Sequence, residues 1–255
     1  MVNSTNEYNL LAPLLFPIAL ILGLIIAPGI NSSDASILIV LSPLVAFPII
    51  LISGQIYNGN DKWKNNLKEG GIIAVSALLI PLLVSIWIIG DNISHTDGHS
   101  IITWLSDWIE FQVLDENYVL DQGRVLGIGV WIDSITMMLI FVASFLCFLI
   151  CWFSMGYMNT DPINENRNHR FYAEFVLFAM GMFGMVLADN FLWLFIFWEI
   201  MGLCSYLLIG FYFWKESAAK AAKKAFLTTR VGDVFLMIGL FILYDIYDSL
   251  EFSVI

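Results

Sequence analysis

The sequence predicts an all-α protein that crosses a membrane about seven times. Hydrophobic residues make up 59% of its 255 residues and charged residues only 13%, and the mean hydropathy is +0.82. A soluble domain of ordinary composition is about 25% charged. Apolar stretches of spanning length recur along the chain, and roughly 20 helical residues cross a hydrocarbon core about 30 Å thick. The sequence therefore indicates a polytopic membrane protein and excludes a soluble globular domain.

Each predicted span is an apolar run bounded by polar or charged residues. The seven runs cover residues 10–30, 36–57, 71–90, 128–157, 171–188, 190–213 and 225–244. Prolines interrupt the first three, which membrane helices tolerate better than soluble helices do. The runs divide the chain into residues 1–127, which hold N-terminal helices and a long acidic external loop, and residues 128–255, which hold the remaining helices.

Lysine and arginine concentrate in alternate connections. The basic residues of these connections are Lys62, Lys64 and Lys68, then Arg167 and Arg170, then Lys215, Lys220, Lys223 and Lys224. The connections that alternate with them contain a single basic residue, Arg124. Because basic loops stay on the cytoplasmic side, we expect the N-terminus and the basic loops to be cytoplasmic, or on the matrix side in a mitochondrion. The net charge of −11 then reflects a solvated acidic face on the other side, and we expect no nucleic-acid partner.

The acidic loop at 91–127 is the one long connection. Its alternating apolar and polar residues around Trp104 and Trp108 fit either a short hairpin or an interfacial helix. His95 and His99 have the spacing of two metal ligands on one helix face, but Gly98 separates them and the sequence offers no third ligand. We favour two solvent-exposed histidines and predict no metal site. The three cysteines lie inside apolar runs and are expected to be buried thiols rather than disulfides.

One ionisable residue, Glu199, lies near the middle of the apolar run 190–213. An acid at that depth costs roughly 2.5–3.5 kcal/mol on insertion scales. Membrane proteins keep such residues where they face a protein interior or a water-filled path and have a partner. The residue therefore indicates a proton or ion site. The alternative is an acid that is hydrogen-bonded to a neighbouring helix and serves packing alone.

The last apolar run adds a second charged group. Arg230 and Asp233 are three residues apart, so they share one helix face and can pair. Lys223 and Lys224 lie at the basic end of the same run, where a lysine is often an anchor whose ammonium reaches the interface. A midmembrane carboxylate beside a charged pair predicts an electrostatic proton relay without a covalent step. We find no sequence motif for a redox cofactor and expect none in this chain.

Three stretches resemble the L-type, antiporter-like membrane subunit of respiratory complex I, the proton-pumping NADH:quinone oxidoreductase. They read WIDSITMMLIFVASFLCFLICWFSMGYM, LADNFLWLFIFWEIMGLCSYLLIGFYF and AAKKAFLTTRVGDVFLMIGLFILY, and together they lie within residues 129–252. The combination of WE, GLCSYLLIGF and TRVGD is a specific signature. The resemblance implies that residues 128–255 are antiporter-like helices carrying the W-E and R-V-G-D motifs, at the start of an inverted-repeat bundle.

The resemblance also implies roles for particular residues. Glu199 matches the midmembrane glutamate of the W-E motif, Arg230 and Asp233 match the charged positions of R-V-G-D, Lys224 matches the lysine that precedes it, and Asp189 matches the L-A-D-N turn. The proton path would then comprise Glu199, Asp233, Arg230 and Lys224. The family's lysine partner for its glutamate lies further downstream, so we expect another chain to supply the missing downstream helices.

The resemblance implies a proton-translocating subunit that is coupled to quinone reduction in the electron-transport, or respiratory, chain. The expected location is a prokaryotic cell membrane or the mitochondrial inner membrane. NADH, FMN, iron–sulfur clusters and quinone are expected in partner membrane and peripheral subunits of a respiratory complex, with no redox chemistry in this chain. The alternatives are a subunit of an Mrp-type cation/proton antiporter and a fragment that is inactive on its own.

Overall fold

A computed structural model describes residues 17–25, 32–57, 67–94, 101–111, 124–159 and 167–255. Eight helices occur in these ranges: α1 (17–25), α2 (Ser32–Ala35), α3 (Ile37–Ile56), α4 (Gly71–Ser94), α5 (Ser134–Asn159), α6 (Asn168–Leu187), α7 (Phe191–Ile209) and α8 (Glu216–Tyr247). A short 3₁₀ turn, Lys68–Gly70, precedes α4. Two strands, β1 (Ile101–Phe111) and β2 (Arg124–Ile132), form an antiparallel hairpin between α4 and α5.

Six of the helices are long and apolar enough to cross a membrane, namely α3 to α8. They confirm six of the seven predicted spans and the all-α polytopic class. The first predicted span, 10–30, lies mostly outside the described residues, of which 17–25 are helical. Residues 95–100 lie outside them too, so the prediction for His95 and His99 stays a prediction.

The fourth span begins later than the sequence predicts. Residues 128–132 belong to strand β2, and α5 starts only at Ser134. Gly127 and Gly129 disfavour a helix here, and the carboxylate of Asp133 accepts a hydrogen bond from the backbone N–H of Thr136 at 2.7 Å. This capping contact fixes the first turn of α5. Of the two alternatives for the 91–127 loop, the structure has the hairpin.

The helices pack around α6, which contacts α3, α4, α5 and α7. Its side chains Tyr172, Val176, Ala179 and Phe183 are completely buried in the apolar core. This core combines α3 and α4 from the first part of the chain with α5 and α6 from the second. Cys147, Cys151 and Cys204 are buried free thiols, as predicted.

Two glycines of α6 bring α7 close. A Cβ atom at Gly184 would lie 2.5 Å from the ring of Phe197, and one at Gly181 would lie 3.3 Å from the backbone of Phe197 and Met201. Small residues at such positions are typical of membrane helices, because packing contacts rather than the hydrophobic effect hold these helices together. The chain of contacts continues from α7 to α8.

The ends of the basic connections meet at one end of the bundle. The Glu69 carboxylate accepts a hydrogen bond from the backbone N–H of Asn168 at 3.0 Å, which joins the first connection to the start of α6. The guanidinium of Arg167 lies 5.7 Å and 5.2 Å from the ring centroids of Phe213 and Trp214, beyond the end of α7. We call this the basic end.

The opposite end holds the hairpin, the turn at 188–190 and the C-terminal residues. The side-chain amide of Asn190 donates to the Gly127 carbonyl at 3.1 Å, and Val130 pairs with Ala188. The backbone N–H of Phe191 donates to the carbonyl of Leu250 at 2.9 Å. The L-A-D-N turn is therefore the point where strand β2 and the tail after α8 are fastened to α7.

Candidate functional site

Helix α7 carries Glu199 at a depth that its first residues determine. The side-chain oxygen of Asn190 accepts a hydrogen bond from the backbone N–H of Trp193 at 2.9 Å and caps the helix. Glu199 follows nine residues after this cap, which corresponds to about 13 Å along the helix axis. The carboxylate therefore lies near the middle of a 19-residue helix whose remaining side chains are almost all apolar.

Helix α8 presents one face to α7. Its buried residues, Ala222, Asp233 and Leu240, recur at helical spacing, and Phe226 and Arg230 lie on the same face. The ring of Phe226 packs against that of Tyr206 in α7 at 5.1 Å. Opposite this face, α8 is exposed, with Val231, Phe235 and Phe241 each more than 60% accessible. Arg230 and Asp233 thus point toward α7, while these apolar side chains point away from it.

Arg230 joins the two carboxylates in one cluster. Its guanidinium forms an ion pair with Glu199 across the helix interface and lies 3.4 Å from an oxygen of Asp233. A second contact of the guanidinium reaches the backbone carbonyl of Glu199 at 3.4 Å. The indole N–H of Trp198 donates to Asp233 at 2.9 Å. The pairing of Arg230 with Asp233, which their spacing predicts, is present in the structure.

The cluster of Glu199, Arg230 and Asp233 holds two carboxylates and one guanidinium. One negative charge remains when both acids are ionised, and one proton neutralises it. The side chains of Glu199 and Arg230 are 28% and 26% exposed, and that of Asp233 is 11% exposed. Interactions between charges are much stronger at such partly buried positions than in water. The two carboxylates can therefore bind or release one proton as the guanidinium of Arg230 moves closer to one acid or to the other.

The fourth predicted residue, Lys224, is not part of this cluster. It is exposed and lies six residues before Arg230, which turns its side chain about a third of a helical circumference away. Lys223 lies seven residues before Arg230 and so shares its face. It lines a pocket between α6, α7 and α8. The role of Lys224 stays a prediction.

Two polar residues of the bundle, Trp198 and Glu174, were not predicted from the sequence. Trp198 is the neighbour of Glu199 and supplies the hydrogen bond to Asp233. Glu174 is a buried acid in α6, and its position inside the predicted span 171–188 is the signal by which it could have been found. An acid inside a predicted span indicates a side chain that faces the protein interior or a water-filled path, as it does for Glu199.

The fold and this cluster define an integral membrane protein with ion-paired acids at midmembrane depth. Residues 122–172 match the family described as the N-terminus of chain 5 of NADH-ubiquinone oxidoreductase (complex I). Residues 188–255 match the transmembrane family of NADH:quinone oxidoreductases and Mrp antiporters. The second match covers α7 and α8 and therefore the whole ion cluster.

Several curated relatives are similar to this chain in sequence. Subunit L of the NADH-quinone oxidoreductase of Rickettsia typhi is 38% identical over 207 residues, which are 81% of this chain and 28% of the relative. Subunit 5 of the chloroplast NAD(P)H-quinone oxidoreductase of Mesostigma viride is 35% identical over 183 residues, 72% of this chain and 26% of the relative. Subunit L of the F(420)H(2) dehydrogenase of Methanosarcina mazei is 48% identical over 112 residues, 44% of this chain and 16% of the relative.

A solved structure has the same fold. It is that of the membrane-bound sulfane sulfur reductase, an archaeal respiratory membrane complex, and one of its chains matches with a TM-score of 0.65 at 22% identity, over 85% of this chain and 38% of that one. The chain spans about a quarter of the length of the curated relatives. Its motifs and relatives show that it belongs to the L-type, antiporter-like family of complex I membrane subunits.

Proposed function

We propose that this chain is a proton-translocating membrane subunit of a complex I-like NADH:quinone oxidoreductase. The observation that carries the proposal is the cluster of Glu199, Arg230 and Asp233 between α7 and α8, within the region that matches the family. The chain would act as part of an enzyme complex. NADH, FMN, iron–sulfur clusters and quinone would be bound by partner subunits, and this chain would contribute the charged residues of a transmembrane proton path.

The cluster suggests how a proton is bound and released. When Glu199 takes up a proton, its ion pair with Arg230 weakens, and the guanidinium is drawn toward Asp233, 3.4 Å away. Asp233 keeps its hydrogen bond from Trp198 in both states. When a nearby positive charge approaches Glu199, the proton is expelled and Arg230 returns. The chemistry is electrostatic, and no covalent bond to the protein forms or breaks apart from the O–H bond.

Further helices are part of the proposal. The chain spans about a quarter of its curated relatives, and a second polypeptide or a further part of the protein would supply the downstream helices with the lysine partner of Glu199. The exposed face of α8 offers a surface for them. In the part of the chain that the structure describes, the Nε atom of Arg230 is buried and has no hydrogen-bond partner, which an additional helix or a water molecule would provide.

The test uses the assembled complex in native membranes, with Glu199→Gln in this chain. Glutamine keeps the shape of the side chain but carries no ionisable proton. We expect proton translocation per electron pair, followed with a pH-sensitive dye, to fall about tenfold or more, while the complex stays assembled. Glu216→Gln is the matched control, because Glu216 lies at the surface and its ion-pair partner among the described residues is Lys220. Normal translocation by the Glu199 variant would refute the proposal.

A subunit of an Mrp-type cation/proton antiporter is the second candidate, because the description of the family matched by residues 188–255 includes these antiporters. The match of residues 122–172 and the three relatives favour the oxidoreductase. Purification of the tagged chain in mild detergent, with identification of its partners by mass, distinguishes the two. Oxidoreductase subunits support the first candidate and antiporter subunits alone support the second. Purification without any partner supports an inactive fragment.

We also propose that the basic end faces the cytoplasm, or the matrix in a mitochondrion. The support is the concentration of lysine and arginine in connections that meet at this end, as positively charged loops do on the cytoplasmic side. The hairpin and the residues after α8 would then lie outside.

A further inference from the structure

A pocket of about 280 Å³ lies at the basic end, where α6, α7 and α8 meet. Two of its lining residues, Arg170 and Lys223, are cations, and none of them is an acid. The rest of the wall is apolar or small, apart from the phenol of Tyr206. The volume is several times the roughly 30 Å³ that a water molecule occupies in the liquid. The pocket therefore combines a positive part with an apolar part and has room for a small anionic group.

Both cations are available to a ligand. The side chain of Arg170 is 45% exposed, and its contact with the Glu174 carboxylate at 3.5 Å involves one guanidinium nitrogen. A guanidinium has five N–H donors, so several remain. Lys223 is exposed, and no carboxylate of the described residues forms an ion pair with it. Glu216, the acid at the start of α8, is paired with Lys220. The pocket wall is therefore positive and attracts an anion.

Two helices begin beside the pocket. Arg170 lies in the first turn of α6, and Ala219 lies in the first turn of α8. The start of a helix carries a partial positive charge. Helix α7 ends here with the opposite partial charge, but the carbonyl of Tyr206 accepts a hydrogen bond from the backbone N–H of Gly210 at 3.0 Å. The helix ends therefore add to the attraction that the two cationic side chains exert on an anion.

The pocket lies at the level where a membrane meets water. Arg170 is two residues inside the start of the span α6, and Gly210 directly follows the end of the span α7. Tyr212 and Trp214 come next in the chain, and tyrosine and tryptophan are enriched at the membrane–water boundary. This is the level of the lipid headgroups. Basic pockets between membrane helices at this level suit anionic lipid headgroups.

Apolar side chains at the pocket are also exposed. Phe213, which lines it, is 53% exposed, and Ile209 at the end of α7 is 43% exposed. The guanidinium of Arg167 lies 5.7 Å from the ring centroid of Phe213. A free phosphate ion would leave these apolar surfaces uncovered, whereas a lipid would cover them with its glycerol and the first carbons of its acyl chains. The surroundings of the pocket therefore favour a lipid over a free phosphate ion.

We propose that this pocket binds the phosphate group of an anionic membrane lipid. Arg170 and Lys223 pair with the phosphate oxygens, Tyr206 offers a neutral hydroxyl donor, and Phe213 contacts the glycerol and the first acyl carbons. A zwitterionic lipid binds less well, because no carboxylate lines the pocket to receive its cationic group. Lys223 precedes Arg230 by seven residues, about 10.5 Å along the axis. The lipid site is thus separate from the ion cluster, and the inference does not depend on the proposed function.

The alternative is that Arg170 and Lys223 only anchor their helices at the interface, as lysine and arginine often do. The two roles make different demands. An anchor acts through its charge wherever it lies at the basic end, so that the loss of any exposed lysine there has a similar effect. A binding site depends on the position of the charge, so that only the lysine lining the pocket matters.

The experiment uses the assembled complex in membrane vesicles that contain a photoreactive phosphatidylglycerol, with the reactive group close to its phosphate. Illumination crosslinks the bound lipid, and mass spectrometry of the digested chain locates it. We expect labelling within residues 206–223 to fall about fivefold in Lys223→Gln and to be kept in Lys223→Arg. Lys220→Gln is the matched control, because it removes one charge from an exposed lysine of the same helix that does not line the pocket.

Three results would each overturn the inference. The first is an equal loss of labelling in Lys220→Gln and Lys223→Gln, which indicates anchors. The second is equal labelling by a photoreactive phosphatidylcholine of the same design, and the third is displacement of the phosphatidylglycerol by excess inorganic phosphate. Arg170→Gln should lower the labelling by a similar factor. If that variant fails to assemble, the Lys223 variants decide alone, because Lys223 is exposed and the structure gives its ammonium no ion pair among the described residues.

Discussion

At the scale of single residues, Arg230 is the member of the ion cluster that pairs with both of the others. It is the partner of two carboxylates and also lies over the ring of Phe226, with its guanidinium carbon 4.6 Å from the ring centroid. A guanidinium offers five N–H donors in one plane and can serve both acids at once, whereas the ammonium of lysine is a single point charge. An arginine at position 230 thus keeps two acids together at a depth where neither would be stable alone.

Asp133 gives a residue-scale prediction for stability. Its carboxylate caps α5 through the backbone N–H of Thr136. Asp133→Ala should lower the free energy of unfolding by about 0.5–2 kcal/mol, because the N–H loses its partner. Asp133→Asn should lose little, since asparagine is an equally good capping residue. Unfolding in detergent with increasing SDS measures both, and equal stability of the alanine variant and the native chain would contradict the capping role.

The same residue predicts a pH dependence. The hydrogen bond from the Thr136 backbone is the main cause that lowers the pKa of Asp133 below its ordinary value. A lowered pKa in the folded state means that the charged cap stabilises the protein at neutral pH and that this stabilisation is lost as the pH falls through the folded-state pKa. Between about pH 6 and pH 3, the native chain should lose more stability than Asp133→Asn does.

At the scale of helices, the closeness of α6 and α7 depends on glycine. A methyl group at Gly184 would lie 2.5 Å from two atoms of the Phe197 ring and 2.7 Å from Cγ, the ring atom bonded to Cβ, so the ring as a whole must move. Gly184→Ala should destabilise the protein by about 1–3 kcal/mol. Gly156→Ala in α5 is the matched control, because nothing lies within 4 Å of the added methyl group. Detergent unfolding that ranks the two variants equally would contradict this account of the interface.

In the last helix, α8, residue spacing predicts which side chains share a face. The spacing of Arg230 and Asp233 predicts their pairing, and the structure contains it. The same spacing, extended by two turns, puts Lys223 rather than Lys224 on the Arg230 face. Spacing alone therefore ranks Lys223 above Lys224, but only the packing of the two helices shows that the Arg230 face is the one that meets α7.

At the scale of the whole molecule, the two ends differ in what they carry. Lys220 lies at the basic end with a side chain that is 74% exposed, and Val254 lies beyond α8 at the other end and is 56% exposed. The native cysteines are buried, so they give little background in labelling. Lys220→Cys should react with a membrane-impermeant maleimide only from the cytoplasmic side, and Val254→Cys only from the outside. Labelling of both from one side would contradict the membrane crossing by α8, the one span that lies between them.

Long-range contacts explain what the sequence left open. Glu69 joins the start of α6 from 99 residues away, with its backbone in the left-handed region at φ 53°. In the sequence it is one acid in a basic connection. Glu174 is similarly one polar residue in an apolar run. Their local patterns do not show that the first caps a distant helix or that the second is buried in the bundle, because both facts depend on how separate helices are arranged.

The sequence by itself determined the membrane class, the family, the i, i+3 pair on α8 and six described spans, four of them to within four residues at each end; the helix predicted over 225–244 begins nine residues earlier, at Glu216. These depend on local hydrophobicity, helical spacing and a short motif, which any stretch of chain carries with it. The tertiary structure decided that Arg230 pairs with Glu199, that residues 128–132 form a strand and that Glu69 caps the start of α6. Each of these depends on which residues of separate helices and strands come within a few ångströms, and that distance is fixed by the packing of the bundle as a whole.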